Sequence, residues 1–461
     1  MRTLFFYSSF ILLAFLFSCT KEDEITTDPS VKLQFSTDTL FFDTVFTSTG
    51  STTRRIKVFN PDKRAVRIQQ IALEGGPASD FQLNVSGVAS NRVNDFVLGG
   101  NDSLNIFVKV NISPNTTPGP FIVEDAVKIL VNGNQQEIAL KAYGQNAVFL
   151  KGDVAINSHT TWDDQLPHVI YGKVMVNAEV TLTILKGAKV YFHKDAELIV
   201  GGTLRVSGEL NAPVYFASDR LEAIYQEEPG QWKGIRFLSS SKDNHINYAL
   251  IKNALTGLSV ESLSGNSNPK LLLTNTRIYN MELYGLYCRN SQVLAFNNVI
   301  ANCGRALVYG FSGGKYNFKH NTLVNLKVSS TVNGAAVFFT NKAEGAATSE
   351  MDLVLVNNII WGSLPDELLV EKSGNLSFTQ LIRNNVIKSR VSSLESSGNI
   401  LNADPRFVNP RQYNFSLSSG SAAANKGENL SDDPHFSSWL RKDLKGKTRL
   451  FPSDLGSYEI M

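Results

Sequence analysis

The chain has 461 residues, 43% of them apolar, 10% aromatic and 19% charged, so it can bury a sizeable core and is not a disordered polymer. Lys+Arg total 44 against 42 Asp+Glu, a formal net charge of +2 that excludes a strongly basic nucleic-acid binder and an acidic solvating tail. Three cysteines in this length exclude a disulfide scaffold.

Residues 1–18 carry one charge, Arg2, followed by an apolar run from Leu4 to Phe17 broken only by Ser8 and Ser9. A charged start and a short apolar stretch read as a secretory signal, too short for a comfortable membrane-spanning helix. The run ends Leu16-Phe17-Ser18-Cys19, and Thr20-Lys21-Glu22-Asp23-Glu24 follows. The first of these motifs resembles the lipobox of bacterial lipoproteins, which implies cleavage before Cys19 and acylation there. Several acyl chains, at ~0.8 kcal/mol per buried CH₂, give stable attachment. The Lys-plus-acidic stretch resembles the export signal of surface-exposed outer-membrane lipoproteins. The expectation is therefore a signal peptide at 1–18, a flexible tether at 19–30, and a lipid-anchored outer-membrane protein facing the cell surface. Cys288 and Cys303, 15 residues apart, read as small core residues, and no His/Cys spacing resembles a zinc site.

From 31 to 145 the pattern is short β-rich runs. Examples are Ile56-Lys57-Val58-Phe59, Phe81-Gln82-Leu83-Asn84-Val85 and Leu104-Asn105-Ile106-Phe107-Val108-Lys109-Val110, several alternating apolar and polar residues. Asn60-Pro61-Asp62, Gly75-Gly76-Pro77, Gly99-Gly100-Asn101 and Asn132-Gly133-Asn134 supply the turns. About seven such strands read as an immunoglobulin-like β-sandwich. The segment also resembles, in pattern, the Ig-like modules of bacterial surface lipoproteins.

From 146 to 461 the organisation changes. Very short strands separated by Gly-bearing bends run from Leu182 to Phe216, with no hairpin turn or crossover helix between them. A repeat is then measurable. Ala249–Asn253, Thr276–Asn280, Asn298–Asn302, Asn321–Asn325, Asn358–Gly362 and Asn385–Ser389 align, with central apolar residues at 251, 278, 300, 323, 360 and 387. The separations are 27, 22, 23, 37 and 27. One inward aliphatic per period suits a solenoid turn, and the Leu-rich consensus and helix of leucine-rich repeats are absent. A right-handed parallel β-helix fits, with Ile251, Ile278, Ile300 and Leu323 stacked in an internal row at ~4.8 Å per coil. Asn253, Asn280, Asn302 and Asn325 are expected to form a hydrogen-bonded ladder at one bend. The 37-residue interval calls for a loop at Asn341 to Ser349.

These residues resemble the right-handed parallel β-helix repeat proteins of bacterial surfaces. Trp232-Lys233-Gly234-Ile235 resembles the Trp-x-Gly-Ile entry to one of their coils. Asp404–Val408, Tyr413–Leu417 and Gly420–Ala423 resemble their terminal coil, and Asp454-Leu455-Gly456-Ser457-Tyr458-Glu459 resembles its closing signature. The resemblance implies an all-β architecture and carries no catalytic residue.

Many β-helices cleave polysaccharides, using facing carboxylates or a calcium cage with a basic residue. Between Glu282 and Glu344 there is no Asp or Glu for 61 residues, which argues against carboxylate chemistry in the best-defined coils. Arg289, Arg305, Lys315, Lys319, His320, Lys327 and Lys342 lie in that gap at different offsets, as solvated edges or as a groove for acidic glycan. Asp163-Asp164, and Asp195 with Glu197, read as loop charges. Tyr225–Gly230 reads as an exposed loop, and His320 as a hydrogen-bonded bend residue. No P-loop, GxSxG or HExxH pattern occurs. The expectation is thus a surface-anchored binding or structural module without catalytic, cofactor or metal residues. Its partners would be the membrane through Cys19 and a polysaccharide or surface protein, not nucleic acid. The alternatives are a polysaccharide lyase or hydrolase, and a protein-binding adhesin. An acid cluster shared by adjacent coils favours the enzyme, an exposed aromatic stripe the adhesin.

Overall fold

The structure is a computed structural model that describes residues 24–327, 334–343 and 348–460; the signal segment and Cys19 lie outside the described residues. The chain divides into two all-β units, the first ending at Asn146 and the second beginning at Ala147.

The first unit has a six-stranded and a five-stranded sheet. Their alternation follows the sequence: in Ser103–Val110 the buried residues are Leu104, Ile106, Val108 and Val110, each separated by a polar or exposed neighbour. One core draws Ile56, Val58, Phe81 and Ile106 from the smaller sheet and Ile71, Val127, Ile138 and Leu140 from the larger. Phe121–Val131 and Asn134–Gln145 form a hairpin whose turn residues Asn132 and Gly133 have φ of 48° and 78°, which Asn and Gly tolerate best. The described residues begin inside the expected tether. Ile25 and Thr26 pair with Ala65 and Val66, and the side chain of Asn132 donates to the Asp28 carbonyl at 3.0 Å.

In the second unit the chain returns repeatedly to the same sheets. An eleven-stranded parallel sheet runs from Val148–Lys151 to Ile400–Leu401, and its members are separated in sequence by strands of a sixteen-stranded parallel sheet. The aligned aliphatics pair directly: Phe216 with Ile251, then Ile278, Ile300, Leu323, Ile360 and Ile387. All are buried in one core. Unequal spacing does not break the row, because the bends and the other strands absorb it. In the longest interval, Val337–Thr340 and Met351–Val356 join the larger sheet. Lys342 bridges to Thr348 between them, and the rest of the expected loop, 344–347, lies outside the described residues.

The polar ladder differs from the expected one. Asn280 donates to Asn253 Oδ1 at 3.0 Å, but Asn302 accepts from the Leu326 N–H and Asn325 from the Cys303 N–H. The continuous ladder sits at the first residue of the last four aligned segments and runs on to Asn399. Asn298 donates to Asn321, Asn321 to Asn358 and Asn358 to Asn385, each at 3.0 Å, and Asn385 to Asn399 at 2.8 Å. Asn253, Asn280 and Asn302 owe their identity to backbone instead, with φ of 64°, 64° and 55° in the left-handed region that Asn enters readily.

The C-terminal segment also departs from expectation. Phe407–Asn409 and Asn414–Leu417 form an antiparallel pair and not a further parallel strand, and the segment lies along the outside of the eleven-stranded sheet, with Leu430, Phe436 and Trp439 reaching Leu272, Leu294 and Val354 of the sixteen-stranded one. Val299 and Ile359, which alternate with the inward Ile300 and Ile360, are buried beneath Phe415, Leu444, Tyr458 and Leu455. A sheet face rich in aliphatics needs such a cover. The closing motif is the fastener. Gly456, at φ 83°, donates to the Asn357 carbonyl at 2.8 Å, and a Cβ there would lie 2.7 Å from Thr322 Oγ1 and Ile359 Cδ1. Arg449, with a fully buried side chain, pairs with Glu459 and reaches Asn297 Oδ1 at 3.0 Å.

Two outcomes test this reading. Ile300→Asp places an unpaired charge between Ile278 and Leu323 and is expected to cost several kcal/mol, preventing stable folding, whereas Ile300→Leu costs under about 1.5 kcal/mol; thermal melting distinguishes them. Glu367 is fully buried, accepts from the Leu364 N–H at 2.7 Å, and is pushed up to about 7 by burial. The folded state then holds a proton that the unfolded chain, titrating near 4.5, releases first. Stability from this group is therefore present at acid pH and lost as pH rises from about 4.5 to about 7, by on the order of 3 kcal/mol. Melting temperatures across that window should fall in the wild type and stay flatter in Glu367→Gln.

Candidate functional site

The C-terminal segment covers the sixteen-stranded sheet at Leu272, Leu294 and Val354, while the rows through Arg236, Tyr287 and Tyr309 stay partly exposed. Their construction starts at Trp232-Lys233-Gly234-Ile235. Trp232 is buried with its ring stacked on Phe192, centroids 4.0 Å apart, and its indole N–H donates to the Lys252 carbonyl at 2.9 Å. Gly234 has φ 122°, and a Cβ there would meet the Thr256 carbonyl oxygen at 1.7 Å, so only glycine allows the two windings to close. Ile235 then points inward, pairing in register with Leu198 and Leu258, and Arg236 points outward.

Register carries Arg236 to Ser259, Ser259 to Tyr287, Tyr287 to Tyr309 and Tyr309 to Phe338 in one outward row. The rings form a ladder. Tyr287 and Tyr309 stack at 5.7 Å with planes 13° apart, Tyr309 and Phe338 at 5.2 Å and 18°, and Tyr284 lies 5.0 Å from Tyr287. Tyr284, Tyr287 and Tyr309 are half-buried, while Phe311 and Phe338 are buried at one end. At the other end Arg236 donates to both oxygens of Glu197, at 2.8 and 3.3 Å, with Glu261 at 4.0 Å. The Glu197 hydrogen bond raises the Arg236 pKa above its ordinary value. Lys233, Thr256, Ser259, Tyr284 and Tyr287 close a cavity of about 310 Å³ around this pair.

Ring faces beside fixed donors and acceptors suit a ligand with an apolar face and a rim of hydroxyl groups. Both carboxylates face the same guanidinium.

Most of the candidates that the sequence suggests lie elsewhere, and Glu197 is the exception: it belongs to the site and not to a loop. Asp163 accepts from the Gln165 N–H in a turn, and Asp195 occupies a left-handed bend at φ 67°. Tyr225–Gly230 is pinned to the stack, since Asn253 and Asn280 donate to its carbonyls and Glu227 accepts from the Tyr413 hydroxyl at 2.7 Å. His320 is fully buried at φ 54°, its Nδ1 facing the Gly456 carbonyl at 3.3 Å and its Nε2 the Asn357 amide at 3.1 Å. Burial holds it neutral, well below the usual imidazole range. Lys319 pairs with Asp433, and Lys315 lines a second cavity. Cys288 and Cys303 are buried, and burial pushes both thiols up, Cys303 to about 12. Among the described residues no group of three His, Cys, Asp or Glu side chains is placed to hold a metal ion.

No family model and no curated protein matches the chain. Among solved structures, 25% of this chain is similar to a family 123 glycoside hydrolase from Clostridium perfringens, at 8% identity over 26% of that chain and a TM-score of 0.18. PapD-like domain 7 of human CEP192 matches 26% of this chain at 12% identity, over 89% of its own length, with a TM-score of 0.19. The E. coli chaperone DraB matches 25% at 11% identity over 55% of its length, TM-score 0.18. The chain thus spans about a quarter of the hydrolase it matches. Likeness at this level carries no argument about the chain, whose all-β class rests on its own strands.

Because Arg236 and Glu197 are partly exposed, their pair contributes at most about 1 kcal/mol. Arg236→Ala is expected to melt within a few degrees of the wild type in calorimetry; a large loss would make the pair a structural clamp.

Proposed function

We propose that the chain is a surface-exposed outer-membrane lipoprotein, acylated at Cys19, that binds glycan on the open face of a right-handed parallel β-helix. In this reading 31–145 is an immunoglobulin-like β-sandwich that follows the tether and precedes the helix in sequence. The regular return of the chain to two parallel sheets, with one aliphatic row inside, supports the β-helix reading. The lipobox-like Leu16-Phe17-Ser18-Cys19 supports the anchor.

One observation carries the binding function: the ladder of Tyr284, Tyr287 and Tyr309 ending at the Arg236–Glu197 pair. Tyrosine faces take the C–H face of a pyranose, and the charged pair takes its hydroxyls. Binding is favoured over cleavage because glycoside hydrolysis needs one carboxyl as acid and a second as base or nucleophile, whereas Glu197 and Glu261 are both held towards Arg236.

The full chain in detergent, screened on a glycan array, tests this. Tyr287→Ala and Tyr309→Ala should each weaken the best ligand at least about tenfold, or about 1.4 kcal/mol. New reducing or unsaturated ends on incubation with polysaccharide would replace binding with catalysis. Retention of a surface protein instead of any glycan would point to an adhesin. Cys19→Ala should leave the membrane fraction or remain unprocessed, and wild-type fractionation and migration would sink the anchor.

A further inference from the structure

We propose that the same unit carries a second, independent binding site, for a non-anionic pyranose sugar, in the cavity bounded by Asn290, Lys315, Ser349, Glu350, Asp352 and Thr379. The site does not rest on the aromatic face and uses none of its residues.

The local backbone is built to open it. Strands Tyr284–Phe296 and Ala306–Lys319 pair in register until a bulge between Arg289 and Ser291. Asn290, Ser312, Gly313 and Gly314 all have positive φ there, at 45°, 63°, 76° and 121°. A Cβ on Gly313 would lie 2.3 Å from the Glu350 carbonyl oxygen, and one on Gly314 would lie 2.4 Å from that of Ser291. Two consecutive glycines therefore let the 349–351 main chain close on the bulge, and the Gly314 N–H donates to the Glu350 carbonyl at 2.9 Å. Bulges and left-handed non-glycine residues concentrate where a fold re-aims side chains for binding. Here the consequence is visible in register. Past the bulge Lys315 pairs with Asp352, and Asp352 with Thr379, so three polar side chains fall in one row while Met351 is buried behind them.

The cavity measures about 430 Å³, within the range of small-molecule sites. Its hydrogen-bonding capacity is largely unspent. Neither Lys315 nor Glu350 has an ion-pair partner among the described residues, and Asp352 uses one oxygen to accept from the Thr379 hydroxyl at 2.6 Å. Asn290, Ser349 and Ser377 add neutral donors and acceptors, and Leu263 supplies an apolar wall. Two carboxylates against one ammonium leave the site at net −1. A ligand dense in hydroxyl groups matches that inventory, and a carboxylated or sulfated sugar meets like charge.

The test uses the full chain in detergent carrying Tyr287→Ala, so that the aromatic face is already weakened. Calorimetric titrations would compare tetramers of β-1,4-linked glucose, β-1,4-linked glucosamine and α-1,4-linked galacturonate. The glucose or the glucosamine tetramer should bind, the galacturonate tetramer at least about tenfold more weakly. Adding Asp352→Asn or Lys315→Met should weaken the tighter ligand at least about tenfold with melting unchanged, since both side chains are exposed. The site is overturned if no tetramer binds, if galacturonate binds tightest, or if both added substitutions leave affinity intact. Loss of all binding on Tyr287→Ala alone would equally remove its independence.

Discussion

The second unit depends on one constraint: successive windings must superimpose in register, so that each strand finds its hydrogen-bond partner one winding away and each inward aliphatic lands on the last. Ile251, Ile278, Ile300, Leu323, Ile360 and Ile387 meet this at intervals from 22 to 37 residues. Loop length is therefore free and register is not, as expected when a one-residue slip turns every core side chain outward. The asparagine ladder follows from the same condition. Where the chain bends between strands, buried backbone groups lose their sheet partners, and Asn298, Asn321, Asn358 and Asn385 each supply an acceptor to a neighbouring N–H and donors to a carbonyl and to the next side chain. A fully satisfied network tolerates burial; removing one member would strand its neighbours.

Stacked parallel strands bury their inner face but leave outer faces to be managed. The eleven-stranded sheet places Val299, Val324, Ile359 and Val386 outward, and the C-terminal segment covers them with Phe415, Leu417, Leu444, Leu455 and Tyr458. Its attachment uses the left-handed bends themselves: Asn297 donates to the Trp439 and Lys442 carbonyls, and Asn357 to that of Glu428. The bend residues thus serve two purposes, reversing the chain and presenting side-chain amides to the cover.

The aliphatic row is legible in the sequence because it is one residue per period with a constant local frame. The Trp-x-Gly-Ile motif is legible because its members do different physical jobs. Trp232 fills space, Gly234 permits close contact and Ile235 points inward. The ladder is not legible at the right bend. Asparagine occurs at the start of some aligned segments, at the end of others and at both ends of Asn298–Asn302 and Asn321–Asn325, and only the three-dimensional path separates those needed for φ from those needed for hydrogen bonds. The C-terminal segment reads as a winding because alternation in Tyr413–Leu417 is the same whether a strand joins a stack or lies across it. The candidate site is illegible for a different reason. Arg236, Glu197 and Glu261 lie 39 and 25 residues apart, and Tyr284, Tyr287 and Tyr309 have no common motif. Only register brings them together.

The same register explains why binding chemistry would collect on the open sheet. Inward rows are fixed by packing, and the cover fixes the outward rows of the smaller sheet together with Leu272, Leu294 and Val354 of the larger, so the remaining outward rows of the larger sheet are where side chains can vary without cost to the core. Solvated rows of that kind are ordinarily filled with small polar or charged residues. Here one such row passes from Arg236 through Ser259 to three aromatic rings in succession. Aromatic–aromatic contacts between windings contribute about 0.5–1.5 kcal/mol each, which accounts for a pair but gives no reason to keep Tyr284, Tyr287 and Tyr309 half-exposed beside a salt-bridged cavity. Stability alone would be served by burying the rings, as Phe338 is buried at the end of the row. Their partial exposure, next to fixed polar groups, is the feature that the proposed ligand contact would use.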